Sequence, residues 1–417
     1  MTQNGFYSDF DTNTPGGERK ADYRTPFEMD RDRLIHTSAF RRLQAKTQVF
    51  FAGEYDFYRS RLTHSIEVAQ IGRSITAFLN QTSPHLSAHF YLDAALVEAI
   101  CLAHDLGHPP FGHAGERTLH TLMINQGGFE GNAQTLRLLT DTIYQDETGR
   151  KGLQPTRAFT DGVMKYKATF SEWPQPPENH FLYDSQLPVR EWVFAGDTAK
   201  RSPADWNELK SIECQIMDWA DDTAYSVNDI IDGAHAGFIT HHRVEKWAGS
   251  RSLTPREHDW IQDLLRLIGS EDIHRQFSRK IGRFLQATRL DPVTHAHAPD
   301  SNRYRFMLHI DEEAQAESRL YKKLAVALVF RTPQLQQFEF KGDRVLRELF
   351  NAFSEQAVNG KYGILPVSLR EGLDRAGSET DRSRLICDYL AGMTDRFAIR
   401  TYRRLFDPDY GSLSDLI

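Results

Sequence analysis

The sequence predicts an all-α protein with at most a small β-hairpin or a few short strands. Apolar residues recur at helical spacing through most segments between Leu34 and Leu405. Only Tyr304–Ile310 alternates its larger apolar residues at period two, as a strand does. The composition, 40% hydrophobic and 26% charged over 417 residues, is that of a folded chain and excludes a disordered or collagen-like one.

In chain order, residues 1–23 read as a flexible polar start, with Pro15, Gly16 and Gly17 opposing regular structure. Helical text begins at Phe27, and Leu34, Ile35, Ala39, Phe40 and Leu43 form one apolar stripe between basic residues. Further helices are expected over about 62–79, 93–104, 114–125 and 132–146. The second of these, nearly all apolar, must end at Leu106–Pro110, where a glycine and two prolines follow. An irregular insertion is expected over about 147–207, around Trp173-Pro-Gln-Pro-Pro177. A long helix over 211–233 and helical text over 255–286 come next. Helices then dominate to Leu405, with an expected break at Lys341-Gly342 and a loop over 359–366. This organisation divides the chain into the start, a core over 24–240 and a helical C-terminal region over 241–417. There Leu346, Leu349, Phe350 and Phe353 suggest a surface for self-association.

A net charge of −7 argues against a general nucleic-acid binder, though not against a local basic pocket. No apolar run approaches the roughly 20 residues that span a bilayer, so no membrane association is expected. The polar first 20 residues lack the layout of a secretory signal. Three widely spaced cysteines, Cys101, Cys214 and Cys387, fit buried thiols in a reduced cytoplasm.

The chemistry is concentrated in a few polar residues on apolar faces. His104-Asp105 closes the apolar helix 94–103. His64 shares a face with Val68, Ile71 and Ile75, and Asp221 one with Met217 and Ala224. Each alone reads as readily as a core histidine, a cap or a salt-bridged acid. Together they bring two imidazoles and two carboxylates from three helices, a mixed set suited to Mn2+, Fe2+, Ni2+ or Zn2+ and less to a purely oxygen-liganded ion. Just downstream, His113 and Glu116 are three apart, so a carboxylate can orient and charge an imidazole as in a general acid/base. His108 lies in the same turn. Arg61 precedes His64 by one helical turn and suits a phosphate. Tyr225 and Asp229 extend the face of Asp221, where a structural role and contact with a sugar hydroxyl are equally compatible with the spacing.

His64…His104-Asp105…Asp221 resembles the H…HD…D pattern of the HD superfamily of metal-dependent phosphohydrolases. Longer blocks resemble the bacterial dGTPases and dGTPase-like proteins: Arg24–Leu34, Ala39–Phe50, Arg61–His64, Ala103–Glu116, Phe129–Gln134, Gln215–Tyr225 and Asp388-Tyr-Leu-Ala-Gly-Met-Thr-Asp395. The resemblance runs from about residue 24 to about 400. It implies hydrolysis of a deoxynucleoside triphosphate to deoxynucleoside and inorganic triphosphate. One divalent metal, Mn2+ or Mg2+ in activity, would be held by His64, His104, Asp105 and Asp221. It implies a catalytic role for His113 with Glu116, phosphate contact by Arg61 and His108, deoxyribose contact by Tyr225 and Asp229, and a place for Gln48 against sugar and base. It further implies a homo-oligomer (dimer, tetramer or hexamer) and a dNTP or single-stranded DNA effector. Two positions depart from relatives: Gly131 stands where many have His, and Asp222 where an animal member has Lys. The same donor set would also serve a nucleoside monophosphatase, a phosphodiesterase, or a nucleotide-sensing or single-strand-binding protein with conditional turnover.

Overall fold

The computed structural model describes residues 4–17, 19, 22–49, 59–144, 150–197, 199–270, 272–293 and 301–411. Three helices carry the middle of the molecule: α2 (Arg61–Thr82), α3 (Ala94–Ala103) and α6 (Ile212–His235), each packed on the other two. Their facing stripes are those that the periodicity marks. Val68, Ile71 and Ile75 meet Leu96, Val97 and Ile100 on one side, and Ile216, Ala220 and Val227 on the other, all buried. α1 (Pro26–Ile35) lies against α3 and starts with a reciprocal cap, in which the Thr25 hydroxyl accepts from Glu28 N–H and the Glu28 carboxylate accepts from Thr25 N–H. Thr37 ends the stripe that the sequence runs on to Leu43, because its side chain caps a separate short helix, Ser38–Arg42.

The fold is all-α with one hairpin. The strand expected near 304–310 is β2 (Phe306–Ile310), antiparallel to β1 (Thr288–Pro292) with Leu290 opposite Leu308. β1 escapes a sequence reading because Leu290 is its single large aliphatic residue. The Gln215 side-chain oxygen accepts from Leu308 N–H at 2.8 Å and ties the hairpin to α6.

A second core lies beside the first. It is built from α4 (Gly112–Met123), α8 (Pro333–Val358), α9 (Glu379–Ala391) and α10 (Asp395–Phe406). Two expectations are corrected here. Leu346, Leu349, Phe350 and Phe353 are all buried in this core and offer no free surface for self-association. α8 also runs unbroken through Lys341-Gly342, and Gly342 serves clearance instead: a Cβ there would stand 2.6–3.1 Å from atoms of Phe111. The loop over 359–366 separates α8 from the helix Val367–Arg375 as the sequence suggests.

Other stretches are more regular than the sequence implies. Residues 4–17 carry the helix Asp9–Thr12 and bury Phe6, Tyr7 and Asp11. The stretch 147–207 holds three short helices, Arg157–Val163, Leu187–Val193 and Pro203–Glu208. These join a buried ionic network. Arg303 donates to Asp11 at 2.8 Å and to Asp161 at 2.6 Å, the Tyr304 hydroxyl donates to Asp161 at 2.8 Å, and Lys167 lies 3.3 Å from the same carboxylate. The three cysteines are buried free thiols. Among the described residues no helix is long and apolar enough to cross a membrane.

Candidate metal and acid/base site

The first turn of α2 is fixed by its cap: the Ser60 hydroxyl accepts from Thr63 N–H at 3.3 Å, which starts the helix so that Arg61 and His64 face inward together. α3 is capped by Asp93, whose carboxylate accepts from Ala95 and Leu96 N–H, and it delivers His104 at its C-cap. There the His104 ring is locked. Its Nδ1 is 2.6 Å from the Cys101 carbonyl, which can only accept, so Nδ1 donates and Nε2 is left facing the neighbouring carboxylates. That Nε2 is buried and has no hydrogen-bond partner. Around it stand Asp105 Oδ1 at 3.5 Å and Asp221 Oδ1 at 3.7 Å, and the same Asp221 oxygen is 3.0 Å from His64 Nε2. The ligand atoms of His64, His104 and Asp105 all lie within 4.8 Å of one another.

A buried, unpartnered imidazole nitrogen between two carboxylates and a second imidazole is costly in a finished core and suits a cation. The donor set (two nitrogens, two carboxylates) fits a divalent transition ion with water completing its shell. The charges agree. Burial raises the Asp105 carboxyl, but Arg61 (Nη1 to Oδ2, 2.7 Å), His104 and His108 outweigh it and hold the group ionised. Burial likewise raises Asp221, while its bond to His64 and the charges of His104 and His64 bring it well below the carboxylate range. In return Asp221 raises the His64 ring against its burial.

The second cluster adjoins the first through His108. Its Nε2 is 3.2 Å from Asp105 Oδ1, and its Nδ1 is 3.7 Å from Glu116 Oε2. Burial and the Arg61 charge push its ring down. His113 Nδ1 sits 3.3 Å from the same Glu116 oxygen, with the His113 ring mostly exposed and edge-on to His108 at 5.6 Å. Glu116 is fixed from behind, since Oε1 accepts from Gly131 N–H at 2.7 Å at the start of α5 (Gly131–Arg137), which Glu130 caps. A Cβ on Gly131 would stand 3.0 Å from Glu116 Oε1 and 3.2 Å from the His108 ring. The small residue that departs from relatives is thus the one this packing accepts.

Two more of the sequence-selected residues share α6 with Asp221. Tyr225 follows Asp221 by one turn and stacks on Phe330, with ring centroids 6.1 Å apart. Asp229, a further turn on, is buried with Oδ2 unpartnered, and burial and Asp232 push its carboxyl up. Gln48 is half-buried and its side-chain oxygen has no partner. Phe50, part of one quoted block, lies outside the described residues.

Three cations escaped the sequence reading. Lys46 is buried, donates to the His108 and Ala391 carbonyls at 2.6 and 2.8 Å, and is lowered to about 7 by burial and by Arg42 and Arg61. Its sequence signal was its place inside a quoted block. Lys165 pairs with Asp218 at 2.7 Å and is close enough to depress Asp221. Its surroundings read as irregular. Lys322 on α7 (Glu312–Ala325) pairs with Asp222 and lies 5.9 Å over the Tyr225 ring. It brings a cation to the place where Asp222 seemed to remove one, and no local pattern could reveal that.

These features define a helical HD-domain protein, and the comparisons agree. The family model of the HD domain matches residues 61–161, and that of the phosphohydrolase-associated domain matches 308–404. A deoxyguanosinetriphosphate triphosphohydrolase-like protein of Shewanella loihica is 35% identical over 95% of this chain and 96% of its own length. A second such protein, of Deinococcus radiodurans, is 35% identical over 97% of both chains. The chain belongs to the deoxyguanosinetriphosphate triphosphohydrolase-like family of HD-domain phosphohydrolases.

Proposed function

We propose that the protein hydrolyses a deoxynucleoside triphosphate to the deoxynucleoside and inorganic triphosphate, with one divalent metal held by His64, His104, Asp105 and Asp221. The observation that carries this reading is the His104 Nε2: buried, without a hydrogen-bond partner, and close to the other three donors. When bound, a divalent ion supplies Lewis acidity toward phosphate oxygens and acidifies water. Arg61, anchored on Asp105, keeps a permanent positive charge beside that centre and offsets charge gathering on the phosphates. His108 contacts a phosphate oxygen from the Asp105 side. His113, held by Glu116, gives its proton to the departing 5′ oxygen of the deoxynucleoside. Tyr225 and Asp229 receive the deoxyribose. Burial and the neighbouring Asp232 raise the Asp229 carboxyl, which favours the protonated form that can donate to a sugar hydroxyl. Gln48 lies against sugar and base, and single-stranded DNA or a second dNTP acts as effector on a homo-oligomer.

The test is a panel of the four dNTPs, singly and mixed, with Mn2+ or Mg2+ and with or without single-stranded DNA, reading inorganic triphosphate. Intact triphosphate from at least one condition is the expected result. Release of monophosphate or pyrophosphate alone would assign the site to another HD phosphohydrolase activity, and binding without release to a nucleotide sensor.

A further inference from the structure

The turn that carries His108 to His113 closes in a strained conformation. Phe111 has φ +66° and ψ +19°, a left-handed geometry that is strained for a non-glycine residue. Gly112 follows at φ +60°. Phe111 is also the N-cap of α4, without a side-chain capping bond. The direction in which α4 starts, and hence where His113 points one residue later, depends on what holds Phe111.

Its side chain is buried against Phe338, with rings 5.7 Å apart, in the clearance left by Gly342. Its backbone is held from much farther along the chain. Phe111 N–H donates to Asp395 Oδ1 at 2.9 Å across 284 residues. Asp395 is fully buried at the first turn of α10, and its other oxygen accepts from Thr47 N–H at 2.9 Å and from the Thr47 hydroxyl. The preceding residues reach the same turn indirectly: the Ala391 carbonyl shares the Lys46 ammonium with the His108 carbonyl. Residues 391–395 therefore hold the turn that bears His108 and His113 directly at Phe111 and through Lys46 at His108. A carboxylate serves here because three donors converge on it. An amide has one accepting oxygen and would place an N–H against one of them.

We propose that Asp395 is a positioning residue of the HD site: through Phe111 N–H it fixes the left-handed turn that aims His113, linking the C-terminal helices to turnover and leaving the metal donors alone. This rests on the reading of His113 as the acid/base. The sequence block ending in Asp395 thereby acquires a physical role.

The test compares Asp395→Asn, Asp395→Ala and Thr47→Val in the full-length, metal-loaded protein. Asp395→Asn keeps the volume but satisfies only one of the two backbone donors. It should keep metal occupancy and dNTP KM near the parent while kcat per folded, metal-loaded site falls by up to about 10²-fold, the scale of a misplaced catalytic group. Amide hydrogen exchange should quicken in the peptide covering 106–116 and stay unchanged in α2, α3 and α10. Thr47→Val removes only the hydroxyl contact, so it should lower the melting temperature with kcat within about twofold, a separation expected when the Phe111 bond survives. Should Asp395→Ala fail to fold, the Asn and Val variants still decide. The proposal is overturned if Asp395→Asn retains parental kcat per folded site with unchanged loop exchange. It is also overturned if exchange rises throughout α9 and α10 and activity falls only with the folded fraction. If the parent itself releases no triphosphate, the functional reading fails, and the exchange measurements still report on the brace.

Discussion

Two of the polar clusters buried among the described residues are built to opposite rules. Around Asp161, the acids Asp11 and Asp161, the bases Arg303 and Lys167, and the hydroxyls of Ser301 and Tyr304 all find partners. Around His104, the Nε2 of that ring, the Nδ1 of His108 and the Nε of Arg61 are buried and unpartnered. A network closed upon itself can contribute to stability and specificity. One left open stores an unmet demand for a ligand. Burial and charge do not separate the two clusters, but completeness of hydrogen bonding does.

Breaking the open cluster should give the largest effect. Asp105→Asn keeps an acceptor for Arg61 and removes the negative charge. Elemental analysis should find little metal, with turnover down by about 10³-fold or more, as when an essential electrostatic element is lost, while the circular dichroism of the parent persists. Full metal occupancy in this variant would refute the donor assignment. A chelator should lower the parent's melting temperature and leave that of Asp105→Asn unmoved.

Next in size is His113→Ala. It should retain metal and bind dNTP while losing about 10²–10⁴-fold in turnover, the range for a general acid/base. Single-turnover kinetics beside equilibrium binding would show it, and parental turnover would make His108 the first alternative.

The closed cluster should respond in the other currency. Asp161→Ala leaves Lys167 and Arg303 without their shared carboxylate and should destabilise by about 3–5 kcal/mol. Denaturant titration measures this, and metal affinity of the folded fraction should match the parent. A loss of metal affinity without a loss of stability would erase the distinction between the clusters.

The smallest effect concerns Glu213, beside the closed cluster. Burial raises its carboxyl to about 7, and the Tyr7 hydroxyl donates to it at 2.8 Å. A carboxyl raised in the folded state binds a proton that the unfolded chain releases, so its contribution worsens as pH climbs from the ordinary value of 4.5 to about 7. Glu213→Gln keeps an acceptor for Tyr7 and should stabilise by about 1–3 kcal/mol at pH 8 and by little at pH 4.5. Equal shifts at both pH values would place the cause elsewhere.

The sequence disclosed the open cluster better than the closed one. His64, His104 and Asp221 stand out because each interrupts a helical apolar stripe, and a stripe is a local property. Asp11, Asp161 and Arg303 interrupt nothing, since they lie in segments with no period to break. The same limit explains the misreadings. Gly342 looked like a helix break because its neighbour Phe111 is more than 200 residues away. Leu346 and Phe350 looked like a free face because the helices packed on α8 are distant in sequence, α4 before it and α9 and α10 after it. Lys322 beside Asp222 is likewise a meeting of distant helices. Periodicity reports which face of an element is apolar, and says nothing about which element covers it.

The placement of Asp395 has a consequence for the newly made chain. The last donor, Asp221, leaves the ribosome roughly 10–35 s before Asp395 at common translation speeds of about 5–20 residues per second. On the proposed reading, a chain synthesised as far as Asp221 carries all four candidate donors before the residue that braces Phe111 exists. Assembly of the donor set and alignment of the His113 turn are then separate events in the making of the protein.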